Sequence, residues 1–324
     1  MKRLPMAMLL IAFTGFAHAD GFGDVERTKV IEDYAQKLED SYVFAAQGKL
    51  LANGLRSHLK RGDYAGLAEK ELAEKVQQDM DSISPDQHNG LVYVEFDALE
   101  EPPPRPVPVA STEPVSQPGP DNFGMEKFSM KGRTAYLHVT RFAPVDRFST
   151  EAVAQVMSKA AHSDAMIIDL RDGHGGVQSM VTLLSSYFFD ERPVHLLDEL
   201  DRDGKVTNSV ITSITLTGPR YGSKRPLYIL VNEETASASE AFAYGLQQQK
   251  RAVIVGSKTS GGAHKQFGVP VSNHLIAFVA IGRTVTPVTH TNWERTGVKP
   301  DVLVPADQAL DVALAQVAKG SAQQ

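Results

Sequence analysis

Leu227-Tyr228-Ile229-Leu230-Val231 is a continuous apolar run, and Ala241-Phe242-Ala243-Tyr244-Gly245-Leu246 soon after it reads as the opening of a helix. A run apolar at every position is a strand covered on both faces, which calls for helices packed on a largely parallel sheet. Between the two lies Asn232-Glu233-Glu234-Thr235-Ala236-Ser237-Ala238-Ser239-Glu240. A strand that stops, turns on small residues and opens a helix suits a nucleophile, because the unpaired N–H groups and dipole of a helix N-terminus favour negative charge. The oxyanion of an acyl-transfer intermediate needs such donors. A purely structural reading fits the same residues: Ser237 as N-cap and Glu240 three positions on make a capping box.

The rest of the chain sets this unit in a series. Thr134–Val139, Ala165–Leu170, Pro226–Val231, Ala252–Val255 and Leu275–Ala280 read as strands. Glu151–His162 and Gln178–Phe189 read as helices, so the alternation predicts an α/β core rich in parallel strands. Polar, glycine-rich segments follow the strand ends at 171–176, 233–237 and 257–262, where sites form in open α/β sheets. Upstream, Val30, Ile31, Tyr34, Leu38 and Tyr42 share a helical face; Leu51, Leu55, Leu59 and then Leu67, Leu72, Val76, Met80 and Ile83 continue the pattern. Three such segments bury one another as a small bundle. Leu91–Phe96 follows as a strand, and 101–120 carries eight prolines without apolar periodicity, which reads as a linker. The boundaries expected are a leader at 1–19, the bundle with its short strand at 20–100, the linker at 101–122 and the catalytic domain at 123–324.

Lys2 and Arg3, the apolar stretch Met6–Phe16 and Ala17-His18-Ala19 predict a Sec-type signal peptide cut after Ala19, hence an exported, periplasmic protein with no stable membrane anchor. The absence of cysteine excludes disulfides, thiolate metal sites and a cysteine nucleophile, and the net charge of −6 gives no footing for nucleic acid. No segment has metal-ligand spacing. By residue type, Arg171-Asp172-Gly173-His174-Gly175-Gly176 is a tight turn or an oxyanion loop. His264 and Lys265, in a loop read as flexible, are candidate bases. Asn292-Trp293-Glu294 is a surface loop or holds a partly buried carboxylate that orients a histidine.

Four segments together resemble the tail-specific, or C-terminal-processing, serine peptidase family. They are Asp169-Leu170-Arg171 with Gly175-Gly176, then Asn232–Glu240, then Val255-Gly256 with Gly261-Gly262, and last Gly297-Val298 with Pro300-Asp301. Their order and spacing match from Tyr136 to about Ala315. The branch of interphotoreceptor retinoid-binding protein and its bacterial relatives is the closest in pattern, with no PDZ segment. The resemblance implies a crotonase/ClpP-like α/β core behind the helical bundle. It implies an endopeptidase acting through an acyl-enzyme on peptides, including their C-terminal ends, without metal or organic cofactor.

The resemblance also assigns roles. Ser237, not Ser239, is the nucleophile. The lysine of the Ser-Lys branch would stand at Gly262 and is missing, although Lys265 is near. The tricorn-like Ser-His-Glu arrangement maps onto His88 in Asp86-Gln87-His88-Asn89-Gly90 as base and Glu294 as its orienter. The backbone N–H groups of Gly175 or Gly176 and of Ala238 would hold the oxyanion. One departure is Gly173, where family members usually carry Asn. The alternative reading is a non-catalytic carrier of retinoid- or fatty-acid-like apolar ligands. An acyl-CoA enzyme on the crotonase fold is disfavoured by the leader and the surroundings of Ser237.

Overall fold

A computed structural model of the chain describes residues 22–95 and 121–321. The expected leader at 1–19 and almost all of the proline-rich segment lie outside the described residues. No helix among the described residues is long and apolar enough to cross a membrane.

The amphipathic pattern upstream becomes α1 (Asp24–Ser41), α2 (Ala45–Arg61) and α3 (Glu69–Ile83). Val30, Ile31, Tyr34 and Leu38 of α1 bury against Leu51 and Leu55 of α2 and against Leu72, Val76 and Met80 of α3. Gly48 sets how closely the first two helices approach: a Cβ there would stand 2.3 Å from the Leu38 carbonyl oxygen. The Asn53-Gly54 pair does not break α2, which stops where Gly62 takes the left-handed conformation at φ 80°. A short strand, β1 (Gly90–Tyr93), follows.

The α/β core is a six-stranded sheet. It contains β2 (Lys127–Lys131), β3 (Thr134–His138), β4 (Ala165–Asp169), β7 (Leu227–Val231), β8 (Val253–Gly256) and β11 (Val302–Leu303), in the order β11-β8-β7-β4-β3-β2. All pairings are parallel except β2 with β3. Burial at every position of β4 has a simple origin. Met166 and Ile168 face one core with α4 (Arg147–Ala160), α5 (Gln178–Ser186) and α6 (Ala238–Gln248), while Ile167 faces the other with Ala309 and Ala313 of α7 (Ala309–Ser321).

A second, antiparallel sheet was legible only in part. It joins β1, β5 (His195–Leu200), β6 (Val206–Ile211), β9 (His264–Pro270) and β10 (Leu275–Val285). The sequence pattern anticipated β10 but missed β5, β6 and β9: none has a continuous apolar run, and β6 and β9 are partly exposed. The segment at His264 and Lys265, read as a flexible loop, is the start of β9. The packing also runs across the expected domain division: Leu275, Ala277 and Val279 of β10 share one core with the three helices.

The close α1–α2 crossing yields a prediction. Gly48→Ala gains ~1 kcal/mol of helix propensity but forces backbone apart at a cost of about 1–3 kcal/mol. The urea midpoint of unfolding should fall; an unchanged or higher midpoint would show that α1 and α2 separate freely.

Candidate active site

The turn after β7 is built by its own side chains. Asn232 Oδ1 accepts from the N–H groups of Glu234 and Thr235, both at 3.1 Å, and Thr235 Oγ1 donates to the Leu170 carbonyl at 2.8 Å, tying the turn to the end of β4. Ser237 then adopts φ 53°, ψ −118°, a conformation that is costly for a residue with a Cβ. This backbone turns the Ser237 side chain into a cleft of about 330 Å³ and starts α6 at Ala238.

Only one half of the expected capping box forms. The Glu240 carboxylate accepts the Ser237 N–H at 2.9 Å, whereas Ser237 Oγ makes no cap bond and stands 3.5 Å from His88 Nε2. Ser239 is fully buried and its hydroxyl accepts the Gly175 N–H at 3.3 Å. The two serines are thus separated by geometry: one faces a histidine in a cleft, the other fills space.

Glu240 also accepts from the backbone N–H groups of Gly261 at 2.7 Å and Gly262 at 2.9 Å and from the Thr259 hydroxyl. Its carboxylate therefore clamps the loop after β8 to the turn at Ser237. Burial pushes its pKa up despite these donors.

The glycine loop after β4 is stitched to residues 140–142: His174 N–H donates to the Thr140 carbonyl at 3.0 Å, Phe142 N–H to that of Gly175 at 2.7 Å and Val177 N–H to that of Phe142 at 2.8 Å. At Gly175 (φ 101°) a Cβ would stand 2.8 Å from Ser237 Cβ, so the loop reaches Ser237 only as glycine. At Gly173 the room for a side chain is taken by Ser239, whose Oγ would lie 2.7 Å from a Cβ. The Gly175 N–H is engaged by Ser239. Among the described residues, the N–H groups of Gly176 and Ala238 have no protein acceptor. These two are the donors free to meet an oxyanion.

His88 stands on the loop entering β1. Burial drives its pKa from 6.5 down to about 4; the nearby Asp86 carboxylate opposes that shift and the neighbouring His264 adds to it. Its ring occupies the place of a side chain at 262: a Gly262 Cβ would stand 2.6 Å from His88 Cε1. A lysine at that position and His88 in this orientation exclude each other sterically. Lys265 is engaged elsewhere, with Nζ 2.8 Å from Glu199.

One expected contact is not made. Glu294 does not hydrogen-bond to His88, and His88 Nδ1 is buried without any partner. The Glu294 carboxylate instead accepts the Ala263 N–H at 2.7 Å and lies 3.8 Å from His264 Nδ1. The reason is the course of β9, whose first residue, His264, brings its ring to Glu294 and Asp86. Trp293 fixes this arrangement, being buried and donating Nε1–H to the Gly262 carbonyl at 2.9 Å. Burial raises the Glu294 pKa, with His264 opposing the shift.

Asp86 and His264 have parts that residue type alone did not reveal. Asp86 Oδ2 accepts from Tyr42 Oη at 2.9 Å and lies 2.8 Å from His264 Nδ1. The Asx-like spacing in Asp86-Gln87-His88 was the available signal. Asp86, His264 and Glu294 also have the donor types of a metal site, with ligand atoms within 4.8 Å of one another. Their oxygens and nitrogen are engaged with each other, with Tyr42 and with Ala263, so the group reads as a hydrogen-bond network.

Comparisons with known proteins agree with this architecture. The model of peptidase family S41 matches residues 133–304, more than half of the chain, and that of the N-terminal domain of S41 peptidases in eukaryotic IRBP matches residues 25–121. A carboxyl-terminal-processing protease of Synechocystis sp. is 30% identical over 197 residues, which cover 61% of this chain and 41% of that protein. The carboxyl-terminal-processing peptidase 3 of Arabidopsis thaliana chloroplasts is 28% identical over 52% of this chain and 31% of its own length. The chain thus spans less than half the length of these curated relatives. Among solved structures, the photosystem II D1 C-terminal processing protease superposes with a TM-score of 0.56 at 16% identity, covering 87% of this chain and 94% of that one. The tricorn protease gives 0.55 at 11% identity, over 90% of this chain and 37% of its own. With the family model matched across the core and the turn at Ser237, and the fold shared with these proteases, the chain belongs to the S41 peptidase family.

Proposed function

We propose that this protein is an exported serine endopeptidase that cleaves peptide substrates, including near their C-termini, through an acyl-enzyme at Ser237. The observation that carries the reading is Ser237 Oγ, held by a strained turn, 3.5 Å from a neutral His88 Nε2 and beside the unpaired N–H groups of Gly176 and Ala238. That distance is at the loose end for a free enzyme and shortens when substrate closes the site. His88 takes the hydroxyl proton as Oγ attacks the scissile carbonyl, and the two N–H groups receive the oxyanion. Collapse expels the amine, which leaves with the proton from His88, and water repeats the sequence on the ester.

Substrate binding follows from β9. Among the described residues it pairs only with β10, and His264, Lys265 and Gln266 at its start line the cleft. An extended peptide can add along that edge. The names of the curated relatives support the C-terminal preference. The cleft wall carries Gln178, Ser179, Asn208, Glu199, Lys265 and Thr284. Such polar lining suits a peptide backbone better than a retinoid or fatty-acid chain.

A fluorophosphonate probe should label the protein, and Ser237→Ala should remove the label. His88→Ala should slow labelling by ~10²–10⁴-fold, and Gly262→Ala should slow it by displacing the imidazole. Lys265→Ala should label like the parent; its loss with His88→Ala silent would reverse the assignment of the base. The leader sequence supports export: the mature N-terminus recovered from periplasm should be Asp20, and an intact Met1 there would refute it.

The acid limb of activity follows from His88. Proton abstraction requires the neutral ring, so the labelling rate should climb with pH through about 4 rather than through the ordinary 6.5. The same shift makes folding stability fall as pH drops from 6.5 towards 4, because the unfolded chain binds that proton first. A limb centred near 6.5 would mean that the ring is solvated or paired in solution.

A further inference from the structure

His88 needs a group that fixes its ring, and Glu294 does not touch it. The Asp86 carboxylate stands where the loop of the base meets three other elements. Its Oδ1 accepts the backbone N–H of His88 at 2.9 Å. Its Oδ2 is met by Tyr42 Oη at 2.9 Å from the C-cap of α1, by His264 Nδ1 at 2.8 Å from the first residue of β9, and by Asn89 Nδ2 at 3.2 Å. Asn89 Oδ1 in turn accepts the Ala280 N–H of β10 at 2.7 Å.

All these groups are buried, with Asp86 4%, His264 7% and Tyr42 0% exposed. An ionised carboxylate survives there because its oxygens are met by donors. Burial alone would raise the Asp86 pKa, yet His264, the His88 N–H and the Tyr42 hydroxyl hold it below its ordinary value. A fixed charge bonded on both oxygens cannot rotate, so the loop hung on it cannot drift. The loop is pinned on its outer side as well, where Gln87 Nε2 donates to the Ser260 carbonyl at 3.0 Å.

We infer that Asp86, held by Tyr42 and His264, is the positioning residue that keeps His88 aimed at Ser237. The inference rests on the Ser237–His88 reading above and adds a link from the helical bundle to the base. Tyr42 belongs to the bundle core, so an α1 displaced from β10 would release the carboxylate that holds the catalytic loop.

The test compares Asp86→Asn, Tyr42→Phe and Glu294→Gln in the full-length protein. Asp86→Asn keeps the side chain's size but removes the charge. It should cut kcat and the probe-labelling rate by ~tenfold or more with peptide KM within about twofold, since the cleft wall is untouched. Tyr42→Phe removes one hydroxyl and should cut kcat by a few-fold, and the double variant should lose less than the product of the two losses. A folded Asp86→Asn protein that labels at the parental rate overturns the inference. If Asp86→Asn does not fold, Tyr42→Phe decides: parental kcat overturns the inference. A Glu294→Gln loss larger than that of either variant, with Tyr42→Phe silent, also overturns it in favour of Glu294.

The His88 ring resonances, followed by NMR, give a readout independent of turnover. They should be single and sharp in the parent and shifted or broadened in Asp86→Asn or Tyr42→Phe. Unchanged resonances overturn the positioning role. Changed resonances in a protein that never labels would uphold it and refute the peptidase reading alone.

Discussion

The pairing of β1 with β10 is the contact on which the site depends. His88 precedes Ser237 by 149 residues, and the antiparallel register of Gly90 opposite Phe278 through Tyr93 opposite Leu275 carries its loop to Ser237. That register is set by burial: a slip of one residue would turn Leu91 out of the core it shares with Leu275 and Ala277. The helices contribute by closing that core. The bundle therefore helps to place His88 beside Ser237, although it supplies neither Ser237 nor the N–H groups of Gly176 and Ala238.

Steric exclusion does as much as attraction at the centre. Gly175 brings a backbone against Ser237 Cβ, and Gly262 leaves room for the His88 ring. A side chain at either position would move the group it faces. The absence of the lysine of the Ser-Lys branch is thus linked to the presence of a histidine from another part of the chain. One volume beside Ser237 holds either the His88 ring or a side chain at 262, not both.

Three carboxylates near this volume, two buried and Glu294 partly so, are treated differently by their surroundings. Glu240 gathers N–H groups from two loops and acts as a clamp. Asp86 is held ionised by a histidine and a tyrosine. Glu294 has a single backbone donor and a distant histidine, so burial dominates and its pKa rises. The difference lies in the close histidine: His264 at 2.8 Å offsets burial at Asp86, whereas burial outweighs the donors at Glu240 and at Glu294.

The sequence by itself determined the α/β core, the helical bundle and the strand–turn–helix at Ser237, because these rest on local periodicity and on turn chemistry that neighbouring residues complete. The resemblance of four separated segments also pointed to Ser237 rather than Ser239 and to His88, and these two side chains stand 3.5 Å apart. The strands β5, β6 and β9 were not legible, since their apolar pattern is broken by polar residues and is weak without the partner strands that bury one face. The contact between His88 and Glu294 was expected from the resemblance to the tricorn-like Ser-His-Glu arrangement. The tertiary structure decided otherwise, because the first residue of β9 places His264 against Glu294 and Asp86. Which carboxylate faces which histidine is a matter of ångströms across strands far apart in sequence, and nothing local in the chain encodes it.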